Sequence, residues 1–320
     1  MTAGARHVLV TGGAGFIGSH LTRSLLDSGE RVTCLDLFDD FYDPALKREN
    51  VAPFPQGPDY RLVEGDLRDA DLLERVFREG KFDAVIHLAA RAGVRPSIEQ
   101  PALYQDVNVR GTVTLLEACR QHGVRKILFG SSSSVYGNNT KTPFHEEDPV
   151  RHPISPYAAT KRAGELLAYT YHHLFGLDIF CLRFFTVYGP AQRPEMAIHR
   201  FVRLVDEGRP VPMFGDGTSR RDYTYVDDVI QGIRAALDRV SGYRIYNLGE
   251  SRTVSLNQLI AIIGEALGKE PRVERVPDQA GDVAVTYADI SRARAELGYD
   301  PGVDLEDGIR RFVEWHRQRR

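Results

Sequence analysis

The chain has 320 residues, 42% of them hydrophobic, and its 41 basic and 44 acidic side chains leave a formal charge of −3. That length accommodates a helix-flanked sheet plus a smaller lobe, and charges scattered this evenly build no field that would draw nucleic acid or an anionic membrane surface. Cys34, Cys119 and Cys181 are isolated and odd in number, which excludes a disulfide framework and a zinc site and reads as reduced thiols in the cytoplasm.

In chain order, strands are predicted over 7–11, 31–36, 60–64, 84–88, 126–131 and 178–184, with helices over 19–28, 71–79, 103–122 and 155–175 between them. A further strand, 244–248, precedes a helix over 255–267 for which Ser255 can serve as N-cap. Short apolar runs alternating with longer helical patterns are the mark of βαβ units. The expected fold class is therefore α/β, a Rossmann doubly wound parallel sheet with a smaller C-terminal substrate-binding lobe. Beyond Phe184 the alternation gives way to loops carrying Pro190, Pro194, Pro210, Pro212, Gly215 and Gly217. No run approaches the ~18 apolar residues of a membrane span, and no secretory leader is expected ahead of Val8.

Between the first strand and the first helix lies Thr11-Gly12-Gly13-Ala14-Gly15-Phe16-Ile17-Gly18. Gly12, Gly15 and Gly18 lack the side chains that would keep a pyrophosphate from the helix N-terminus, so the stretch Gly12 to Gly18, with Phe16 and Ile17, suits a dinucleotide. Asp36 ends the second strand about 20 residues onward, where a carboxylate accepts from the adenosine ribose and repels a 2′-phosphate. NAD is accordingly favoured over NADP. Asp66 and Leu67, and then Leu88, Ala89 and Ala90, stand at the next strand ends and leave room for adenine and nicotinamide. Asn108 is read either as holding the backbone around the site or as an ordinary capping residue. On this reading residues 1–184, with a returning segment near 225–250, form the NAD-binding domain, and 185–320 form mainly the substrate lobe.

Tyr157 and Lys161 are four residues apart, so on one helix they face the same way. An unperturbed phenol ionises near ~10 and is a poor base at neutral pH, but a neighbouring ammonium favours phenolate. The run from Ser131 to Ser134 follows a strand and brings hydroxyls to the same edge, where one can relay a proton or bind a reacting hydroxyl. There is no G-x-S-x-G context for a serine nucleophile. No metal site is expected.

Taken with His87-Leu88-Ala89-Ala90, Ser155-Pro156-Tyr157, the run from Arg183 to Pro190 and the run from Arg221 to Asp228, these residues resemble the extended short-chain dehydrogenases that act on nucleotide sugars. The resemblance covers nearly the whole chain. It implies Tyr157 as general base, Lys161 orienting the nicotinamide ribose, and Ser132 bonding the reacting sugar hydroxyl. It further implies that Arg193, Arg221 and Asp282 contact the nucleotide's phosphates and ribose, and that helices 103–122 and 155–175 pair in a homodimer.

Sugar 4,6-dehydratases of that family carry Asp-Glu ahead of Val-Tyr-Gly and the related decarboxylases carry Glu there, whereas this chain has Ser133-Ser134. The resemblance is then to 4-epimerases, with a UDP-sugar as substrate and a transient 4-keto intermediate. Arg91 to Ser97, the serine run, Thr186 and Arg193 to Met196 are most similar to UDP-glucuronate 4-epimerases. A substrate carboxylate would meet hydroxyls near Ser132 and Ser133 and a cation such as Arg193; Arg95 binds an anion or is a solvated loop residue. Thr186 in place of Asn, Gln279 in place of Arg, and Thr286 at a pocket wall keep UDP-glucose and UDP-N-acetylglucosamine open as substrates. A non-catalytic NAD sensor and an NADP-dependent ketone reductase are the other readings.

Overall fold

The computed structural model describes residues 5–277 and 283–319. Its centre is a seven-stranded sheet built from β1 (His7–Thr11), β2 (Arg31–Asp36), β3 (Tyr60–Glu64), β4 (Ala84–His87), β5 (Lys126–Ser132), β6 (Asp178–Phe184) and β7 (Tyr243–Leu248). The spatial order is β7-β6-β5-β4-β1-β2-β3. Every neighbouring pair is parallel. The chain winds outward from β1 in one direction, then returns to start in the other at β4. That reversal leaves a crevice at the carboxyl ends of β1 and β4, the place where such sheets bind ligands.

Both faces of the sheet are covered, so the strands read as apolar runs rather than alternating ones. Along β1, Val8 and Val10 enter one core with Leu21, Leu25 and Ile233, while Leu9 enters the other with Val76, Leu115 and Ala168. The first core holds helices Phe16–Asp27 and Val226–Arg239, and the second holds Ala70–Gly80, Gly111–Gln121 and Pro156–Phe175.

The predicted sheet strands fall on observed ones to within a residue at each end. Three differences have physical causes. The first helix begins at Phe16 rather than near residue 19, because Gly15 is itself the N-cap. The expected 103–122 helix is three pieces, Pro101–Gln105, a π-helical turn Asp106–Arg110, and Gly111–Gln121. A π-turn inside a helix often marks a functional site, and this one carries Asn108. Beyond Phe184 the proline and glycine spacing hides real elements. Helices Ala197–Asp206, Val226–Arg239, Ser291–Leu297 and Leu305–Gln318 are present. Three two-stranded pairs accompany them. The two-stranded pairs and Ser291–Leu297 are too short to establish a period, whereas Val226–Arg239 and Leu305–Gln318, 14 residues each, carry one that the proline and glycine count obscured.

Candidate active site

A cavity of about 530 Å³ opens at the crevice. Its cofactor end is built by the glycine turn. Gly12 has φ +71°, and a Cβ there would lie 2.7 Å from the Ala89 nitrogen; a Cβ on Gly18 would lie 2.1 Å from the Gly12 oxygen. The turn is thus folded so tightly against the β4 loop that side chains are excluded. The helix it feeds has no side-chain cap and no acidic residue in its first turn. Uncapped amides with the positive end of a helix dipole behind them suit a pyrophosphate.

Asp36 is buried at the tip of β2 and lines the cavity. Its carboxylate accepts from the amides of Ala14 at 3.2 Å and Phe38 at 3.0 Å, and from Lys47 Nζ at 3.2 Å. Lys47 also donates to Asp39 at 2.8 Å. Arg91 reaches the other Asp39 oxygen at 3.4 Å, so Asp36 and Asp39 are held between two cations. Asp66 and Leu67, and Leu88, Ala89 and Ala90, line the same cavity. The site is one into which the adenosine half of NAD fits.

The serine run forms the opposite end. Ser132 closes β5 and caps a single 3₁₀ turn, accepting from the Ser134 amide at 3.2 Å and donating to the Ser134 hydroxyl at 3.1 Å. Tyr157 stands in the first turn of Pro156–Phe175, whose N-cap Ser155 accepts from the Ala158 amide. Burial pushes the Tyr157 phenol up, opposed by a hydrogen bond with Ser132 and by the Arg193 charge. Lys161 donates to the Gly130 carbonyl at 2.7 Å, and its Nζ lies 6.0 Å from the Tyr157 ring centroid. Burial lowers the ammonium to about 8, with Glu165 pulling the other way. Ser133, Thr186 and Arg193 line this end as well. Arg193 pairs with Glu195 at 3.3 Å and lies over the Phe41 ring at 5.4 Å.

Three expected residues stand elsewhere. Asn108 is buried behind the wall. Its oxygen accepts from the Arg91 amide at 2.8 Å, and its amide donates to the Arg91 carbonyl and the Thr160 hydroxyl, both at 3.0 Å. It splints the β4 loop to the tyrosine helix rather than facing the cavity. Arg95 lays its guanidinium over Phe214 at 4.8 Å. Arg221, on the short strand Arg220–Arg221, donates to the Arg220 carbonyl at 3.0 Å. Neither arginine belongs to the cavity wall among the described residues. Asp282 and Gln279 lie outside the described residues.

The wall also contains side chains that motif reading passed over, Asp39, Phe41, Tyr42 and Lys47 from the segment after β2, beside Arg91 from the run 91–97 after β4. Their signal was the aromatic and acidic run Phe38-Asp39-Asp40-Phe41-Tyr42-Asp43, which matches neither a helix nor a strand period. Behind the motif His87-Leu88-Ala89-Ala90, the His87 imidazole bridges the Thr11 hydroxyl at 2.8 Å and the Thr112 hydroxyl at 3.0 Å. Burial, with the Lys161 charge, holds that ring down to about 3. It is a neutral brace.

No helix among the described residues is long and apolar enough to cross a membrane. No group of three or more His, Cys, Asp or Glu side chains among them is placed to hold a metal. The three cysteines are buried and unbridged.

Residues 8–249 match the NAD dependent epimerase/dehydratase family. The UDP-glucuronate 4-epimerase of Thermodesulfobacterium geofontis (strain OPF15) is 44% identical over 313 residues, spanning 98% of this chain and 96% of the relative. The crystal structure of UDP-glucuronic acid 4-epimerase from Bacillus cereus, in complex with UDP-glucuronic acid and NAD, superposes with a TM-score of 0.92 at 38% identity, covering 98% of this chain and 100% of its own. That of DesIV, a dTDP-glucose 4,6-dehydratase from Streptomyces venezuelae with NAD and TYD bound, superposes at 0.91 with 36% identity, covering 98% and 97%. Backbone likeness therefore extends across two reactions, and the cavity's side chains must separate them.

Proposed function

This chain belongs to the NAD-dependent epimerase/dehydratase family, and on that premise we propose that it interconverts UDP-glucuronate and UDP-galacturonate by epimerisation at C4. The observation that carries the choice is where acids lie in the cavity. Among the described residues that line it, the carboxylates are Asp36, Asp39 and Asp66, all from the β2 and β3 ends, while Ser132, Ser133, Ser134 and Thr186 share the other end with Tyr157. Eliminating water from a sugar needs an acid and a base beyond the tyrosine. Hydroxyls cannot supply them, but they can hold a carboxylate.

NAD, when bound, supplies the acceptor and donor of the C4 hydride. The first-turn amides of Phe16 and Ile17 hold its pyrophosphate, Asp36 its adenosine ribose, and Lys161 its nicotinamide ribose. Asp66, Leu67, Leu88, Ala89 and Ala90 shape the surrounding walls. Tyr157 takes the proton from the C4 hydroxyl, with Ser132 hydrogen-bonded to the same oxygen, and returns it after the 4-keto sugar has turned over. Arg193, which lines the cavity, is assigned to the nucleotide's phosphates, and Arg221, which stands outside the described wall, and Asp282 join it on the family pattern alone. The cofactor half is residues 1–184 with the returning segment near 225–250, and 185–320 are mainly the substrate lobe.

A second copy of the chain is assigned to helices 103–122 and 155–175. Leu166, Tyr169, Leu174 and Phe175 on the latter expose 52%, 52%, 62% and 44% of their surface, apolar side chains that a partner would cover. The cytoplasm is the assigned compartment. The deciding experiment is NMR of UDP-glucuronate with the purified protein and no added reductant. UDP-galacturonate without released CO₂ is the expected product; turnover confined to UDP-glucose or its N-acetyl analogue would replace the assignment.

A further inference from the structure

One buried carboxylate close to the reacting groups has no part in the chemistry described so far. Glu165 lies one turn beyond Lys161 on the tyrosine helix and is fully buried. Its Oε1 accepts from the Ser131 hydroxyl at 2.7 Å and Arg183 Nε at 2.8 Å, and its Oε2 accepts from Arg183 Nη2 and Arg162 Nη1, both at 2.9 Å. The Arg183 pairing is a two-pronged fork, the geometry that fixes a carboxylate most firmly. Arg183 is itself held, through a 3.2 Å bond to the Glu146 carbonyl and by lying over the Tyr136 ring at 4.8 Å.

This places a rigid anchor directly behind the serine run. Gly130, Ser131 and Ser132 are consecutive on β5. Lys161 grips the first through its carbonyl, Glu165 grips the second through its hydroxyl, and the third meets Tyr157. We infer that Glu165 is a positioning residue for the epimerase reaction: by clamping Ser131 it sets where the Ser132 hydroxyl stands, and it supplies the negative charge that faces the Lys161 ammonium. The inference rests on the function proposed above.

The electrostatic part follows from what surrounds Lys161. From its own helix it meets Tyr157 and Glu165, and from β4 it meets His87, which burial keeps neutral. Arg183 from β6 and Arg162 from the helix reach it only through Glu165, where they screen the carboxylate. Cys181 and Tyr243, from β6 and β7, are drawn toward their neutral forms by burial and by Glu165 itself. Glu165 is therefore the anion that opposes the desolvation of Lys161. Its removal lets the ammonium lose its proton at lower pH, and removing its screen has the opposite effect.

Three variants separate position from charge. In Glu165→Gln the alkaline limb of the kcat profile moves to lower pH by about one unit, in keeping with loss of a nearby opposite charge, with KM changed less than kcat. In Arg162→Gln, whose side chain is partly exposed and whose loss spares the Glu165–Arg183 fork, the limb moves to higher pH. In Ser131→Ala kcat falls about tenfold, roughly the worth of one hydrogen bond to a charged group, and the limb stays in place. An unmoved limb in Arg162→Gln together with wild-type kcat in Ser131→Ala overturns the inference, even if Glu165→Gln fails to fold. Ultraviolet titration of the Tyr157 phenolate in the NAD-loaded protein without sugar, with Tyr157→Phe as blank, needs no turnover. A later phenolate in Glu165→Gln is expected, an unchanged one overturns the inference, and either result stands whichever sugar the protein accepts.

Discussion

Lys161 Nζ stands 6.0 Å from the Tyr157 ring centroid yet spends its hydrogen bond on the Gly130 carbonyl, 2.7 Å away. The charge that acts on the phenol is that of Arg193, and burial works against the charge of both groups, raising the tyrosine and lowering the lysine.

The pH dependence follows. Lys161 must be charged to favour phenolate, and its ammonium is lowered to about 8 from the usual 10.5. Activity is expected to fall as pH rises through about 8, more than two units before a free lysine would discharge. The stability sign is the reverse. Between about 8 and the free-lysine value of ~10.4 the unfolded chain binds the extra proton, so this group makes the fold more stable as pH rises through that window. Initial rates and denaturant midpoints from pH 6 to 10, with Lys161→Met as reference, check both.

Tyr157→Phe removes the proton acceptor and leaves the ring's packing against Tyr104, 6.4 Å away edge-on. A loss of roughly 10²–10⁴ in kcat is expected for a positioned acid–base group. UDP-sugar affinity, measured by calorimetry, should change by no more than a few-fold.

Gly18→Ala is expected to strip NAD from the protein, because a Cβ would sit 2.1 Å from the Gly12 oxygen and 2.7 Å from the Gly13 Cα, both backbone atoms. Gly29→Ala is the control: it has φ +79° but nothing within 4 Å of the added carbon. Its cost is only that of a left-handed residue, about 1 kcal/mol. Cofactor content after gel filtration and melting temperatures should separate the two, with NAD lost in the first and retained in the second.

Asp36→Ala should weaken NAD and narrow its advantage over NADP. The substitution removes the carboxylate that repels a 2′-phosphate and leaves Lys47 paired with Asp39 at 2.8 Å. Loss of one hydrogen-bonded carboxylate corresponds to roughly tenfold in NAD affinity. Reconstitution of cofactor-free protein with each dinucleotide measures it.

Leu174→Glu places a charge on the most exposed of these apolar side chains on Pro156–Phe175, 62% accessible. Light scattering should show the wild type as a dimer and the variant shifted to monomer, since a desolvated unpaired carboxylate at an interface is strongly unfavourable.

Sheet and cofactor turn were legible because their constraints are local. Gly15 and Gly18 are contacted by the backbone of Gly12 and Gly13, and β1 is apolar on both faces. Asn108 was harder. Its role depends on a π-turn that brings its amide to Arg91 and Thr160, and no period in the sequence announces a π-turn. Lys47 illustrates the same difficulty at the cofactor end. Its neighbours in the chain say helix, while its partner Asp36 is eleven residues back across a strand end. Arg221 was drawn from the family pattern, and the fold places it on a two-residue strand against Val254 rather than in the cavity wall. Glu165 was overlooked because a glutamate on a helix is ordinarily a solvated one, and only the arrival of Arg183 from β6 makes it a core residue.

The π-turn at Asp106–Arg110 makes chain length itself a constraint at this spot. An α-helix advances about 100° per residue, so deleting one residue there would restore a regular helix and swing one flank round by that angle. On one flank Tyr104 holds the Ala92 carbonyl at 2.7 Å, and on the other Thr112 holds His87 at 3.0 Å. The two cannot both survive the rotation. Descendants of this chain are thus free to exchange many side chains along the stretch, but a one-residue gap would be fatal to it, and its count of residues should drift more slowly than its composition.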